Sequence, residues 1–390
     1  MYRGRRNRGN PLFTLLIQVT ASTEFNPRIL IAGGGTGGHL YPAIAIQEAV
    51  LSRAPNAEIE FVGTKQGIES KILPKKKLIL NHLWISGLKR GSPLQNLATV
   101  LKLGVSLLQS ARLIKRFKPH LVIGTGGYVM GPVLYMAQRK GIPTLLQEQN
   151  SFPGLTTRKL APKADAVCVA FPHAARLMKT KRIEITGNPV RSGFQSIEKS
   201  EALKSYSLDP ARPTLLFVGG SQGARSINLA VADALQELLK RFNIIWQTGK
   251  FGVPEAASPS VIESETARHH LRILPFIDDM QTAYAASDLA ICRAGAMTIA
   301  ELAICRLPAV FIPFPFATDD HQTANAKSLC DAGAASLIAD RDLTSAVMIK
   351  EINRIFENKI IGDMRTAITA FAQPEAADHI AEIALSLIHK

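Results

Sequence analysis

Cysteine is scarce in this chain. Only Cys168, Cys292, Cys305 and Cys330 occur among 390 residues, none spaced C-x-x-C and each in or beside an apolar stretch. That usage favours buried reduced thiols over disulfides or zinc ligands, and a reducing cytoplasm suits it. No G-x-x-x-x-G-K-[ST] is present, which excludes a P-loop. Metal-binding patterns are missing too: there is no H-E-x-x-H and no carboxylate cluster. The one D-x-D, Asp340-Arg-Asp342, lies beyond the cleft loops and reads as the N-cap of a helix starting near Leu343. Neither a metal nor a cofactor is expected. Long apolar runs are also lacking. Leu121 to Gln138, uncharged throughout, is broken by Gly124, Gly126, Gly127, Gly131 and Pro132, which suit a strand and loop rather than a membrane-spanning helix.

Negative charge is missing from one long segment. Of the net +15, thirteen Lys or Arg fall between Lys71 and Gln147, where no Asp or Glu occurs. A local positive face follows, with an acidic partner opposite it or, more plainly, a solvated basic surface. Aromatics here are few (Trp84, Phe117, Tyr128, Tyr135) and the charges alternate with Leu, Ile and Val. That mixture fits an anionic membrane surface better than nucleic acid. Residues 1–26 read as a dispensable extension: Arg3, Arg5, Arg6 and Arg8 precede an apolar Pro11 to Val19, superficially like a secretory signal. The chain that follows looks cytoplasmic, so a disordered extension or an upstream start codon is the expectation.

Against these absences stands glycine. Ile29-Leu-Ile-Ala-Gly-Gly-Gly-Thr-Gly-Gly-His-Leu-Tyr41 is an apolar strand, a loop rich in glycine, then a helix start. Free N–H groups and the positive end of the helix dipole make such a loop an anion site. Gly33, Gly35 and Gly38 satisfy G-x-G-x-x-G, which raises a nicotinamide or flavin oxidoreductase. That reading needs an acid ending the second strand, whereas Glu58-Ile-Glu-Phe-Val-Gly-Thr64 carries its acids at the start.

Strand and helix then alternate. Apolar strands are predicted at 58–64, 120–124, 144–147, 166–170 and 184–186. The programme restarts at Thr214-Leu-Leu-Phe-Val-Gly-Gly-Ser-Gln-Gly-Ala224 and continues with strands at 243–246, 271–274, 289–292 and 309–312. The fold class is therefore α/β, two doubly wound Rossmann-like parallel-sheet domains facing across a cleft. The domains are placed at 27–188 and 189–374, and an amphipathic tail helix, Ala376 to Ile388, is expected to pack back on the first. Ligands in such sheets bind outside the carboxyl ends of the strands. The loops there are 33–39, 124–128 and 147–150 in the first domain, and 219–223, 275–279, 293–301 and 318–322 in the second.

Six pieces, in order along the chain, resemble the MurG family of glycosyltransferases. They are Gly34-Gly-Thr-Gly-Gly-His39, Gly126-Gly-Tyr128, Glu148-Gln-Asn150, Gly187-Asn-Pro-Val-Arg191, Gly219-Gly-Ser-Gln-Gly-Ala224 and Cys292-Arg-Ala-Gly-Ala-Met-Thr-Ile-Ala-Glu301. The resemblance implies the GT-B fold and transfer of N-acetylglucosamine from UDP-N-acetylglucosamine to the C4 hydroxyl of the muramyl sugar of lipid I, with inversion and without a tightly bound metal. It places the acceptor on the first domain and the donor mainly on the second. Carried over by motif, substrate contacts fall to Thr36, Gly37, Gly38, Tyr128, Asn150, Arg191, Ser221, Ile277, Ala296, Met297, Thr298, Ile299, Ala300, Glu301 and Gln322. Either His321 or Gln322 stands at the nucleotide position.

Chemistry assigns roles beside the resemblance. The charge of a departing UDP must be met by helix N-termini, backbone N–H groups, Ser221 and Arg191. Glu301 suits ribose hydroxyls, or else is a solvated helix carboxylate. His39, at a helix start that disfavours imidazolium, is a general-base candidate, with capping of the loop as the plainer role. Glu148 is the competing base. The rival functions are another GT-B transferase with a different sugar or acceptor, and a nucleic-acid-binding protein using the basic face. A reversible membrane dock is expected from Ile72, Leu73, Leu78, Ile79, Leu80 and Trp84, ringed by Lys75, Lys76, Lys77, Lys89 and Arg90.

Overall fold

In the computed structural model the described residues are 25–87, 93–191, 193–194, 197–220, 222–317 and 320–388; for 93–98 this is the backbone alone. Ser221, Lys89, Arg90 and all but the last two residues of the 1–26 extension lie outside them. Strands β1 (Arg28–Gly33), β2 (Glu58–Gly63), β3 (Leu80–His82), β4 (Leu121–Gly126), β5 (Thr144–Glu148), β6 (Ala166–Val169) and β7 (Ile183–Ile185) form one sheet in the order β3-β2-β1-β4-β5-β6-β7. A second sheet has β8 (Thr214–Val218), β9 (Asn243–Gln247), β10 (Leu271–Leu274), β11 (Leu289–Cys292), β12 (Ala309–Phe311) and β13 (Ala335–Leu337) in the order β10-β9-β8-β11-β12-β13. Every pairing is parallel.

The apolar runs make these strands because each is covered on both faces. In β1, Ile29 and Ile31 enter one core with Leu40 and Ile44, while Leu30 and Ala32 enter the opposite core with Val133 and Leu134. The same alternation splits β8, with Leu215 and Phe217 on one side and Leu216 and Val218 on the other. Period-two side chains that are all apolar leave no wet face, so helices must cover both sides. The helix Ala376–Ile388 joins the first of these domains: Ile380, Ala381, Ile383, Ala384 and Leu387 lie in the core with Ile44 and Val50.

Three local readings are corrected. The helix after the D-x-D runs Ser345–Glu357 and is capped by Thr344, whose hydroxyl accepts from the Val347 N–H at 3.2 Å. Asp340 instead accepts from Arg293 at 2.5 Å and from Ser226 at 2.6 Å, a partly buried network that side-chain spacing alone does not reveal. The strand read at 184–186 is β7, one residue earlier, because the chain must turn at Gly187, whose φ is +82°. In the expected membrane dock, Leu73 is core and Ile72, Leu78 and Leu80 pack against that core, since a short helix beside β3 needs an inner face. Ile79, Trp84 and Lys75 to Lys77 are exposed, as are Val100, Leu101, Leu103 and Leu108 on the helix Pro93–Phe117.

Both sheets reverse direction at a strand pair, β1 beside β4 and β8 beside β11. Loops leaving such neighbours diverge and open a crevice at the carboxyl ends. The glycine loops after β1 and β8 and the motifs after β4 and β11 all lie at these two crevices.

Candidate functional site

The helix Gly37–Arg53 starts at the end of β1, with Thr36 as N-cap and Gly37 and Gly38 in its first turn. His39 Nδ1 lies 3.2 Å from the Gly34 carbonyl and 3.2 Å from Thr36 Oγ1. A carbonyl only accepts, so the Gly34 bond requires the proton on Nδ1 and leaves Nε2 as the basic nitrogen of the neutral ring. The other edge of the ring lies against Gly126, where φ is +111°. A Cβ there would come within 2.3 Å of His39 Cδ2, so the close approach excludes any other residue. Thr125 donates to the His39 carbonyl at 2.9 Å, tying β4 to the helix start. Loss of hydration lowers the His39 pKa, against an opposing pull from Glu148, while His321 adds to the lowering from across the cleft. Tyr128, exposed, closes one side of the loop near Gly35.

Glu148, the other base candidate, is buried and already engaged. One oxygen accepts from the Asn150 N–H and Asn150 Nδ2, both at 3.2 Å, and the other from the Gly154 N–H at 3.1 Å. It therefore organises the loop that carries Asn150. That loop reaches the second domain, where the Ser151 N–H donates to Asn325 Oδ1 at 3.1 Å. Asn188 bridges the domains as well, its Nδ2 meeting the Gln149 carbonyl at 3.1 Å and the Ala296 carbonyl at 3.3 Å.

On the facing side the helix Ala296–Ile304 points its N-terminus into the cleft behind Gly295. Met297 and Ile299 are buried, and Thr298, Ala300 and Glu301 are partly so. Glu301 is not the solvated carboxylate of the plainer reading: its Oε2 accepts from the Tyr284 hydroxyl at 3.0 Å. Burial pushes its pKa up to about 7, while the Arg191 charge and the Tyr284 bond pull the other way. Arg191 stacks on Tyr41 with its guanidinium 4.6 Å from the ring centroid, and its buried Nε has no hydrogen-bond partner. A planar cation held over an aromatic face beside a carboxylate is set to receive an anionic or hydroxyl-rich ligand.

Two carried-over positions are arranged differently from a simple side-chain contact. The Ile277 N–H is taken by Gln247 Oε1 at 2.8 Å, and Gln247 Nε2 in turn binds the Gly220 carbonyl at 3.1 Å. Gln322 Oε1 accepts from the Phe314 N–H at 2.9 Å and so holds the loop after β12, while His321 is the one near enough to act on His39. Among the described residues no three His, Cys, Asp or Glu come together as a metal site.

Residues 29–169 match the Glycosyltransferase family 28 N-terminal domain and residues 214–382 its C-terminal domain. A UDP-N-acetylglucosamine--N-acetylmuramyl-(pentapeptide) pyrophosphoryl-undecaprenol N-acetylglucosamine transferase from Chlorobium luteolum is 44% identical over 358 residues, covering 90% of this chain and 96% of its own. The enzyme of the same name from Phocaeicola vulgatus is 40% identical over 370 residues, covering 94% and 98%. The crystal structure of Acinetobacter baumannii MurG superposes with a TM-score of 0.73 at 30% identity, covering 93% of this chain and all of the other. This chain belongs to the MurG family. A UDP-glucose:anthocyanidin 3-O-glucosyltransferase in complex with UDP, at 15% identity and a TM-score of 0.68, shares the fold.

As a member of the MurG family the chain has functional neighbours that its motifs do not announce. Glu69, Tyr284, Gln247 and Asn325 all support the loops above, as does Arg293, which stands within the Cys292 to Glu301 motif but has no role assigned by it. Asn325 reaches across to the first domain at Ser151, whereas Tyr284, Gln247 and Arg293 meet their partners within the second domain, at residues far from them along the chain.

Proposed function

We infer that this protein is an inverting glycosyltransferase that moves N-acetylglucosamine from UDP-N-acetylglucosamine to the C4 hydroxyl of the muramyl sugar of lipid I, giving lipid II for peptidoglycan synthesis. The observation that carries the mechanism is the facing across one cleft of His39, whose Nδ1 lies 3.2 Å from the Gly34 carbonyl, with a helix N-terminus, Arg191 and Glu301 on the other wall. In this reading Nε2 takes the proton of the acceptor hydroxyl as its oxygen bonds to C1 of the donor sugar, while the bond from C1 to the phosphate oxygen breaks. A base on one wall and a leaving group on the other suit a single displacement from opposite faces, hence inversion. The developing charge on UDP meets the N–H groups of residues 296–298 and the Arg191 guanidinium. Glu301 accepts from the ribose, and Thr36, Gly37, Gly38, Tyr128 and Asn150 line the first-domain side. Glu148 supports the Asn150 loop instead of acting as the base, because both its oxygens are occupied.

The decisive experiment offers several UDP-sugars together with lipid I and determines the product's anomeric configuration by NMR. Selective transfer of N-acetylglucosamine in β linkage is expected. Preference for another sugar would favour a different GT-B transferase, and steep salt-dependent duplex binding without sugar-nucleotide affinity would favour the nucleic-acid reading.

No described helix is long and apolar enough to cross a membrane. We propose that the enzyme works as a peripheral protein on the cytoplasmic membrane face. A polyprenyl acceptor costs about 0.8 kcal/mol per CH₂ to bring into water, so the cleft must go to the lipid. The exposed face of the helix Pro93–Phe117 (Val100, Leu101, Leu108) beside Trp84 supplies apolar contact in this reading. Lys102, whose Nζ lies 5.8 Å from the Trp84 ring centroid, and Lys75 to Lys77 supply charge.

A further inference from the structure

Glu69 is a fully buried carboxylate that the mechanism above does not use. It opens the short helix Glu69–Lys75 after β2 and turns back towards the glycine loop. One oxygen accepts from the Thr64 N–H at 2.8 Å and the Thr64 hydroxyl at 3.0 Å, and the other accepts from the Gly35 N–H at 2.8 Å. The contact is close: a Cβ on Gly34 would lie 2.6 Å from the Glu69 carboxyl carbon. The Gly35 N–H and the Gly34 carbonyl belong to one peptide group. The carbonyl end of that peptide is the acceptor for His39 Nδ1.

We propose that Glu69 is the positioning residue for His39, acting through the Gly34–Gly35 peptide as a carboxylate acts directly on the imidazole in an ordinary acid–histidine pair. A carboxylate on the N–H of an amide draws its proton and raises electron density on its carbonyl oxygen, because the two ends are conjugated. The carbonyl then holds the Nδ1 proton more firmly, fixes the ring's orientation and keeps Nε2 directed away from the loop as the basic nitrogen. The peptide bridge also explains why a carboxylate occupies a glycine loop suited to anions. It fills one amide of the loop permanently, leaving the helix start at Gly37 and Gly38 to the ligand. The charged and titratable groups acting on His39 are Glu148, His321 and Glu69 itself.

The proposal rests on His39 being the base, so the test separates the two. In protein carrying ¹⁵N-histidine, the neutral His39 ring should be protonated at Nδ1; protonation at Nε2 would overturn the bridge, whatever turnover shows. Glu69→Gln should make the two tautomers exchange, lower kcat about 10–100-fold with little change in donor KM, and move the acid limb of the pH–rate profile to lower pH, since a negative charge near the ring is lost. Changes of that size follow removal of outer partners from ligand histidines in metal sites. In the double variant with His39→Ala the Glu69→Gln change should cost nothing further; full multiplication of the two losses would sink the proposal. If Glu69→Gln does not fold, Glu69→Asp, which keeps the charge but whose carboxylate is one methylene short of Gly35, should show the tautomer exchange in smaller measure, with the limb moving only as far as the charge recedes from the ring. An unmoved limb and tautomer there would leave Glu69 a loop anchor only. Should His39→Ala keep its activity, the base assignment fails while the spectra still decide the bridge.

Discussion

Glu301 is where residue-level physics makes the sharpest demand on the enzyme. Its carboxyl ordinarily titrates at 4.5 but is held at about 7, first by burial. On the proposed reading ribose hydroxyls donate to Glu301, so the donor binds the ionised form, and binding must expel a proton whenever the site begins protonated. Affinity for UDP-N-acetylglucosamine should therefore be roughly tenfold lower at pH 6 than at pH 8, and calorimetry in buffers of different ionisation enthalpy would count the proton. Glu301→Gln should bind more weakly but without this slope; a parent with flat affinity would remove Glu301 from the ribose. Glu301→Ala should lose about 1–3 kcal/mol of donor binding. The sign for folding is opposite: with the folded pKa above 4.5, stability falls as pH rises from 4.5 to about 7. His39 titrates the other way. Its pKa is lowered in the fold, so the base stays available below the ordinary 6.5, and protonation of the unfolded chain subtracts stability as pH falls through that value. His39→Ala should lower turnover about 10²–10⁴-fold with donor binding intact, and a turnover within threefold of the parent would dismiss it as the base. His39, Arg191 and Glu301 were legible because their motifs sit at helix starts and strand ends. Glu69 and Tyr284 were not, for they lie 30 and 17 positions from the residues they serve, and nothing local ties them together.

At the scale of elements, the loops of the second domain are held by side chains rather than by regular pairing. Arg293, just past β11, donates to the Ile312 and Pro313 carbonyls at 3.0 and 3.1 Å, to Asp340 and to Ser226. This one guanidinium fixes the loop after β12, whose Phe314 N–H is then held by Gln322. Asp340→Ala would leave the largely buried Arg293 charge facing only carbonyls and the Ser226 hydroxyl, at a cost of about 3–5 kcal/mol, measurable by chemical denaturation. Donor affinity should fall with it, because the loop loses its anchor. A loss below 1 kcal/mol would mean that water replaces the carboxylate freely. The alternating sheets were legible from their apolar runs, each bounded by glycine or proline. The D-x-D misled as a cap because capping rules see three or four neighbours along the chain, whereas Asp340 answers to Arg293, 47 positions away.

At the scale of the whole molecule, the proposed membrane dock is a charged, partly apolar flank. Lys75→Glu, Lys76→Glu and Lys77→Glu combined should release the enzyme from anionic vesicles and slow turnover of vesicle-borne lipid I, yet spare a soluble short-chain acceptor; salt should mimic this in the parent. Leu101→Glu with Leu108→Glu should do the same without loss of fold, whereas Leu73→Glu should unfold the first domain, since Leu73 is core. Vesicle binding unchanged in the triple and double variants would move the dock elsewhere. The basic segment was legible from composition, but which of its apolar residues face outward was not, because burial is decided by β3 and the helix beside it. The helix Ala376–Ile388 carries a different consequence. Its Ile380, Ile383 and Leu387 complete a core whose other walls, from Ile29 to Cys168, were synthesised more than two hundred residues earlier, whereas the second sheet with its covering helices is a continuous stretch of chain. On the ribosome, then, the domain made first must wait, part-built and with an open apolar groove, while the domain made second can close ahead of it.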